Sequence, residues 1–210
     1  MKLYDMNLAP NPRRVRMFLA EKGIEIETVE IDIPSGKNLA PEYLAINPRG
    51  IVPSLVLDDG TVIDETVAIC RYFEELHPEP NLLGRDAKEK AIIEGRQRHM
   101  EMDGFIWVGQ VFRNESPLYV DRALPGVNGA FRQLPELAER GRMLFSRYIE
   151  KLDQDLATHE FVAGDRFTIA DITAFIAVGF ARWVKMPVPE DCENVLRWRK
   201  AVSERPSAKA

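Results

Sequence analysis

Two cysteines, Cys70 and Cys192, are all that the 210 residues contain, too few for a disulfide framework. The first helix-like stretch opens Asn11-Pro12-Arg13-Arg14, without the Cys-x-x-Cys pair that dithiol exchange by that route requires. No run of about 18 uncharged apolar residues occurs, so no membrane span is expected. Nor do the first twenty residues read as a secretory leader, because Asp5 and then Arg13, Arg14 and Arg16 fall where an apolar stretch should be. A cationic excess is missing too. Lys and Arg number 28 against 33 Asp and Glu, a net charge of −5, which removes the basic footprint of a nucleic-acid binder. His77, His99 and His159 are scattered, and with two distant cysteines they form no metal motif. No low-complexity tract or internal repeat stands out. What remains points to a reduced, cytoplasmic, globular protein, with ordinary proportions of 45% hydrophobic and 29% charged residues.

The chain is long enough for one large core or two small ones, and its pattern changes part-way. Over the first 80 residues strand and helix alternate. Lys2 to Asp5 reads as a strand, and Arg13 to Lys22 as an amphipathic helix carrying Val15, Phe18 and Leu19, with Gly23 as its C-cap. Glu27 to Ile33 alternates with the period of a half-buried strand. Leu55 to Leu57 and Val62 to Ile63 flank Asp58-Asp59-Gly60, a hairpin signal. Val67, Cys70, Phe73 and Leu76 then mark a helix that stops before Pro78, with Cys70 a packed thiol on its apolar face. The order is βαβ then ββα: a parallel pair joined by a crossover, followed by an antiparallel hairpin.

His77 to Gly84 is proline-rich, and after it the pattern becomes helical. We expect one domain over residues 1–80, a linker over 81–86 and an all-α domain over 87–210. Ala87 to Phe112 and Leu134 to Leu156 have helical spacing, the first interrupted by Gly104 and Gly109. Asn114 to Gly129 reads as a long loop, either folded over a cleft or a plain surface excursion. Thr168-Ile169-Ala170-Asp171 is a capping-box variant that opens a nearly uncharged helix, expected at the centre of the second domain.

Two local features carry chemistry. Pro53 enters a strand, where a proline is tolerated at an edge, a bulge or a first position. A cis Val52-Pro53 bond would leave the N–H and C=O of Val52 free to pair with the main chain of a peptide. Shortly afterwards Asp64, Glu65 and Thr66 lead a strand into a helix start, which suits a cap and equally a bound carboxylate.

Asn47-Pro48-Arg49-Gly50-Ile51-Val52-Pro53, Asp59 to Thr66, and Phe161 to Asp171, together with Lys2-Leu3-Tyr4 and Pro10 to Gly23, resemble the soluble glutathione transferase family in content and order. The resemblance implies a thioredoxin-like α+β N-terminal domain (βαβ-ββα) followed by an all-α domain. It further implies glutathione as co-substrate without a metal, a small-molecule hydrophobic electrophile as acceptor, and a homodimer. By the same analogy Glu65 meets the γ-glutamyl ammonium and Thr66 its carboxylate, Val52 and Pro53 present the main-chain site, and Asn38, beside Lys37, lies near the glycyl end. Ala9, Met102, Phe105, Trp107 and Phe112 fall at the electrophile pocket, with Trp183 a further wall.

One position departs from the family. A glutathione thiol, pKa ~9, is lowered by a hydrogen-bond donor near the first helix. Ala9 stands where Ser-type relatives have serine, and Asn11 where Cys-type relatives have cysteine. Asn11 is the candidate catalytic residue, read alternatively as an N-cap before Pro12. Asn7, Tyr4 and main-chain N–H groups at the helix start remain alternative donors. The implied activity is conjugation of the thiolate to an electrophile. Peroxidase, disulfide reductase, dehalogenase or isomerase chemistry on the same thiol, and a non-catalytic binding protein, are the alternatives.

Overall fold

The computed structural model describes residues 1–126 and 129–210; Val127 and Asn128, in the loop expected over 114–129, lie outside the described residues. Four short strands form one mixed sheet in the order β2-β1-β3-β4: β1 (Lys2–Asp5), β2 (Glu27–Glu30), β3 (Ser54–Val56) and β4 (Val62–Asp64). β1 runs parallel to β2 and antiparallel to β3, which pairs antiparallel with β4. The parallel pair needs a long crossover, and α1 (Pro10–Glu21) supplies it. Gly60 closes the hairpin at φ +86°, a backbone shape that a side chain would strain. Val15, Phe18 and Leu19 of α1 share a core with Leu3, Leu55, and Ile69 and Phe73 of α3 (Thr66–Leu76).

Local details differ from the sequence pattern. α1 begins at Pro10, three residues earlier than expected, because proline suits the first helical turn. β2 ends at Glu30, not Ile33, and Ile31 turns into a small second core with Tyr43 and Val52. Between β2 and β3 lies α2 (Pro41–Leu44), four residues, too short to display a helical period.

The second half is helical: α4 (Ala87–His99), α5 (Ile106–Glu115), α6 (Pro135–Leu156), α7 (Ile169–Ala181) and α8 (Glu193–Ser203). α4 and α5 are joined by a π-helical stretch, Met100–Phe105, so Gly104 marks a change of winding and not an end. A Cβ at Gly104 would lie 2.6 Å from the Tyr148 ring, which explains the glycine: it lets this rod approach α6. Gly109 sits inside α5 and does not interrupt it.

α7 is the buried centre, and both arms of its capping box are made. Asp171 is fully buried. It accepts from the main-chain N–H of Val162 and of Thr168 and from Trp198 Nε1, each at 2.9 Å, and from the Thr168 hydroxyl at 3.2 Å. The long loop is no plain excursion. Gly126 passes so close to the Arg49 carbonyl that a Cβ there would clash with it, so the loop reaches the turn just before Val52. Among the described residues, no helix is long and apolar enough to cross a membrane.

Candidate functional site

Val52 and Pro53 lie ahead of the ladder, which begins at Ser54 opposite Tyr4 and Asp64. The Val52–Pro53 peptide bond is cis. The Val52 side chain is turned into the small core with Ile31 and Tyr43, leaving its main chain as the part available to a ligand. A polar frame fixes this turn. Tyr43 donates its hydroxyl to the Ile51 carbonyl at 2.6 Å, Asn47 Nδ2 donates to Ile51 O at 3.2 Å, and Asn38 Nδ2 donates to Gly50 O at 2.8 Å. Asn38, expected near the glycyl end, is buried and braces the turn, and its neighbour Lys37 is exposed.

The start of α3 is open. Glu65 is its N-cap residue, and no side chain accepts from the first-turn N–H groups. Glu65 sits at φ +71°, in the left-handed region where a non-glycine residue is strained. Its carboxylate holds Arg49 Nη1 at 2.5 Å, and that pair is more than half exposed on both sides. Thr66 is buried, with its hydroxyl 3.5 Å from the Asn11 carbonyl oxygen, so the starts of α1 and α3 lie side by side.

Asn11 is the second residue of α1 and does not cap it; Ala9 is the N-cap and provides no side-chain bond. Between Ala9 and Pro12, Asn11 alone offers an uncommitted main-chain N–H. Pro10 and Pro12 carry no N–H, and Ala9 N–H is already bonded to Met6 O at 2.9 Å. Asn11 Oδ1 accepts from Arg14 Nη1 at 3.1 Å. Arginine only donates, so the amide orientation is set, with Nδ2 as the second donor beside the main-chain N–H. Arg14, a buried charge, also donates to Thr173 Oγ1 at 3.1 Å and to Glu101 Oε1 at 2.5 Å, tying Asn11 to the helical half. The sequence reading missed Arg14. A cation between Val15 and Asn11 on an otherwise buried face was the available signal.

Tyr4 packs against Tyr43, ring centroids 5.9 Å apart, at the edge of the small core. Asn7 is exposed, and its main-chain N–H donates to the Glu30 carboxylate. Cys70 is buried, and burial pushes its thiol up to about 12, so it stays protonated.

Of the expected electrophile-pocket residues, the fold brings some together and separates others. Ala9 ends the loop at the start of α1. Phe105 lies under the Arg14 guanidinium, 5.2 Å from ring centroid to Cζ. Phe105 and Phe112 meet at Phe180, with centroids 6.0 and 5.2 Å apart, and Trp183 and Tyr119 complete the cluster. Phe180 and Tyr119 were missed, because each joins the cluster from a separate segment. Trp107, two residues from Phe105 on the same rod, faces another way. It packs under Arg140 and borders a separate groove beside Tyr148. Met102 is 59% exposed and outside the aromatic cluster.

A four-stranded mixed sheet with an open helix start, set against a helical domain, defines the class: a thioredoxin-like domain with an all-α partner. Residues 9–76 match the family described as glutathione S-transferase, N-terminal domain, and residues 117–206 match glutathione S-transferase, C-terminal domain. Glutathione S-transferase 2 of Saccharomyces cerevisiae is 36% identical over all of this chain and 88% of its own length. The crystal structure of Gtt2 from Saccharomyces cerevisiae superposes with a TM-score of 0.92 at 36% identity, covering 100% of this chain and 99% of that one. A glutathione S-transferase domain-containing protein of Marinobacter aquaeolei VT8 gives 0.92 at 35%, covering 99% of each. The chain belongs to the glutathione S-transferase family.

Proposed function

We propose that this protein conjugates the thiolate of glutathione to small hydrophobic electrophiles. The observation that carries the reading is the meeting of three elements: the Val52 main chain outside the ladder, the uncapped start of α3, and Asn11 within reach of Thr66. The γ-glutamyl carboxylate rests on the Thr66 hydroxyl and first-turn N–H groups, where the helix dipole favours an anion. Glu65 takes the γ-glutamyl ammonium, and the cysteinyl unit pairs with Val52 beside Pro53. Asn11 donates its N–H and Nδ2 to sulfur, favouring thiolate over thiol, and the proton leaves to bulk water. The sulfur lone pair forms the C–S bond. With an aryl halide acceptor, the halide departs with the bonding pair. The acceptor lies on Phe105, Phe112 and Phe180.

In this reading residues 1–80 bind glutathione, 81–86 link, and 87–210 form the helical domain. The family's habit of pairing subunits, and exposed Leu76, Ile92, Met102 and Ile106 along α3 to α5, support a homodimer. We place the enzyme in the cytoplasm, in detoxification. The test is conjugation of 1-chloro-2,4-dinitrobenzene by wild type and Asn11→Ala. The substitution is expected to lower kcat/KM by about tenfold or more and to move its pH profile upward. No turnover by a wild type that still binds immobilised glutathione would overturn the transferase reading in favour of a binding protein.

A further inference from the structure

A second cleft, of about 710 Å³, opens between the loop before α1, the outer face of α1, the end of α7, and α8. Its walls combine two chemistries. One is cationic: Arg13, Arg16, Arg182, Arg199 and Lys209 line it, and no side-chain carboxylate does. Arg16 is held by Asp5 at 2.7 Å. Arg13 is satisfied by the main-chain oxygens of Ala208 and Ala210. Among the described residues, Arg182, Arg199 and Lys209 have no acidic partner within salt-bridge distance. Burial, and then Arg16, lowers the Arg13 pKa; burial, and then Arg182, lowers that of Arg199. Like charges are thus crowded in a partly desolvated place, on a chain whose net charge is −5.

The other chemistry is apolar. Leu8 and Trp183 are 68% and 52% exposed. Phe180 lies 5.4 Å from Trp183 between ring centroids and is shared with the cluster holding Phe105 and Phe112. Leaving two large apolar side chains bare beside unpaired guanidinium groups suits a ligand with a flat apolar body and an acidic end.

We propose that this cleft binds aromatic carboxylic acids, the carboxylate held by Arg182 and Arg199 and the ring lying on Leu8, Phe180 and Trp183. It deepens the transferase reading by giving the acceptor a negative charge, and rests on that reading only for the acceptor role. Binding is measured without glutathione, so a failed conjugation assay and a failed cleft are separate results.

The experiment is equilibrium dialysis of the full chain with 3,5-dinitrobenzoate and with 1,3-dinitrobenzene, which share a ring and differ in the carboxylate. Wild type is compared with the Arg182→Gln/Arg199→Gln double variant, both residues lying at the cleft surface. Wild type should bind the acid about tenfold more tightly than the neutral arene. That preference should fall to within about twofold in the double variant, and should shrink in 0.5 M salt, where the Debye length is only about 4 Å. Equal affinity for the two probes in wild type, or a preference that survives the double substitution, would overturn the proposal.

Discussion

The start of α7 and the start of α3 both bear an acidic residue, yet they are finished in opposite ways. At α7 the acid is consumed by the fold. Asp171 is completely buried, and burial pushes its carboxyl up to about 6, against the pull of donors from Val162, Trp198 and Thr168. At α3 the acid stands outside. Glu65 is more than half exposed, holds only Arg49, and sits at φ +71° with no side-chain cap behind it. The sealed end contributes stability. The open end keeps its N–H groups for something else, under backbone strain that the surrounding turn must hold. A helix end sealed by its own chain is structural, while one left open in a cleft is a candidate for ligand.

Three substitutions probe this contrast. Asp171→Ala removes the acceptor of four donors, orphaning buried groups at the centre of the helical domain. Denaturant unfolding should show a loss of about 3 kcal/mol or more, while the protein that remains folded still binds glutathione. An unchanged unfolding midpoint would mean that this end is not sealed as described. Thr66→Val acts in the reverse sense. Shape is kept and the hydroxyl is lost, so titration calorimetry should show glutathione bound about tenfold more weakly, with stability changed by less than about 1 kcal/mol. Equal affinity would remove Thr66 from the site. Glu65→Gly gives the smallest effect and the most telling sign. Relief of the positive φ outweighs an exposed ion pair and some chain entropy, so stability should rise by up to about 1 kcal/mol as glutathione affinity falls. A clear loss of stability would show that Glu65 supports the fold.

The same contrast explains what could be read from the chain alone. The α7 start was legible because Thr168 and Asp171 form a local pattern three residues apart, and the β3–β4 hairpin was legible from Asp59-Gly60. Glu65 and Thr66 could be singled out as a helix start, but no local pattern reveals a positive φ or a missing cap. The surroundings of Asn38 and Trp107 were not legible, for a different reason. Both depend on which way a side chain faces, and the π-helical stretch over Met100–Phe105 changes the phase of the rod just before Trp107. Arg14 reaches Glu101 and Thr173 across sequence separations of 87 and 159 residues. Such pairings leave no trace in spacing.

The account turns on where the sulfur of glutathione lies. A crystal structure of the protein with glutathione tests it directly. The predicted result is the cysteinyl unit paired with the Val52 main chain, the γ-glutamyl carboxylate on Thr66, and sulfur within hydrogen-bond reach of the Asn11 N–H or Nδ2. Tripeptide density away from the α3 start, or sulfur turned from Asn11 toward Tyr4 or Asn7, would contradict it.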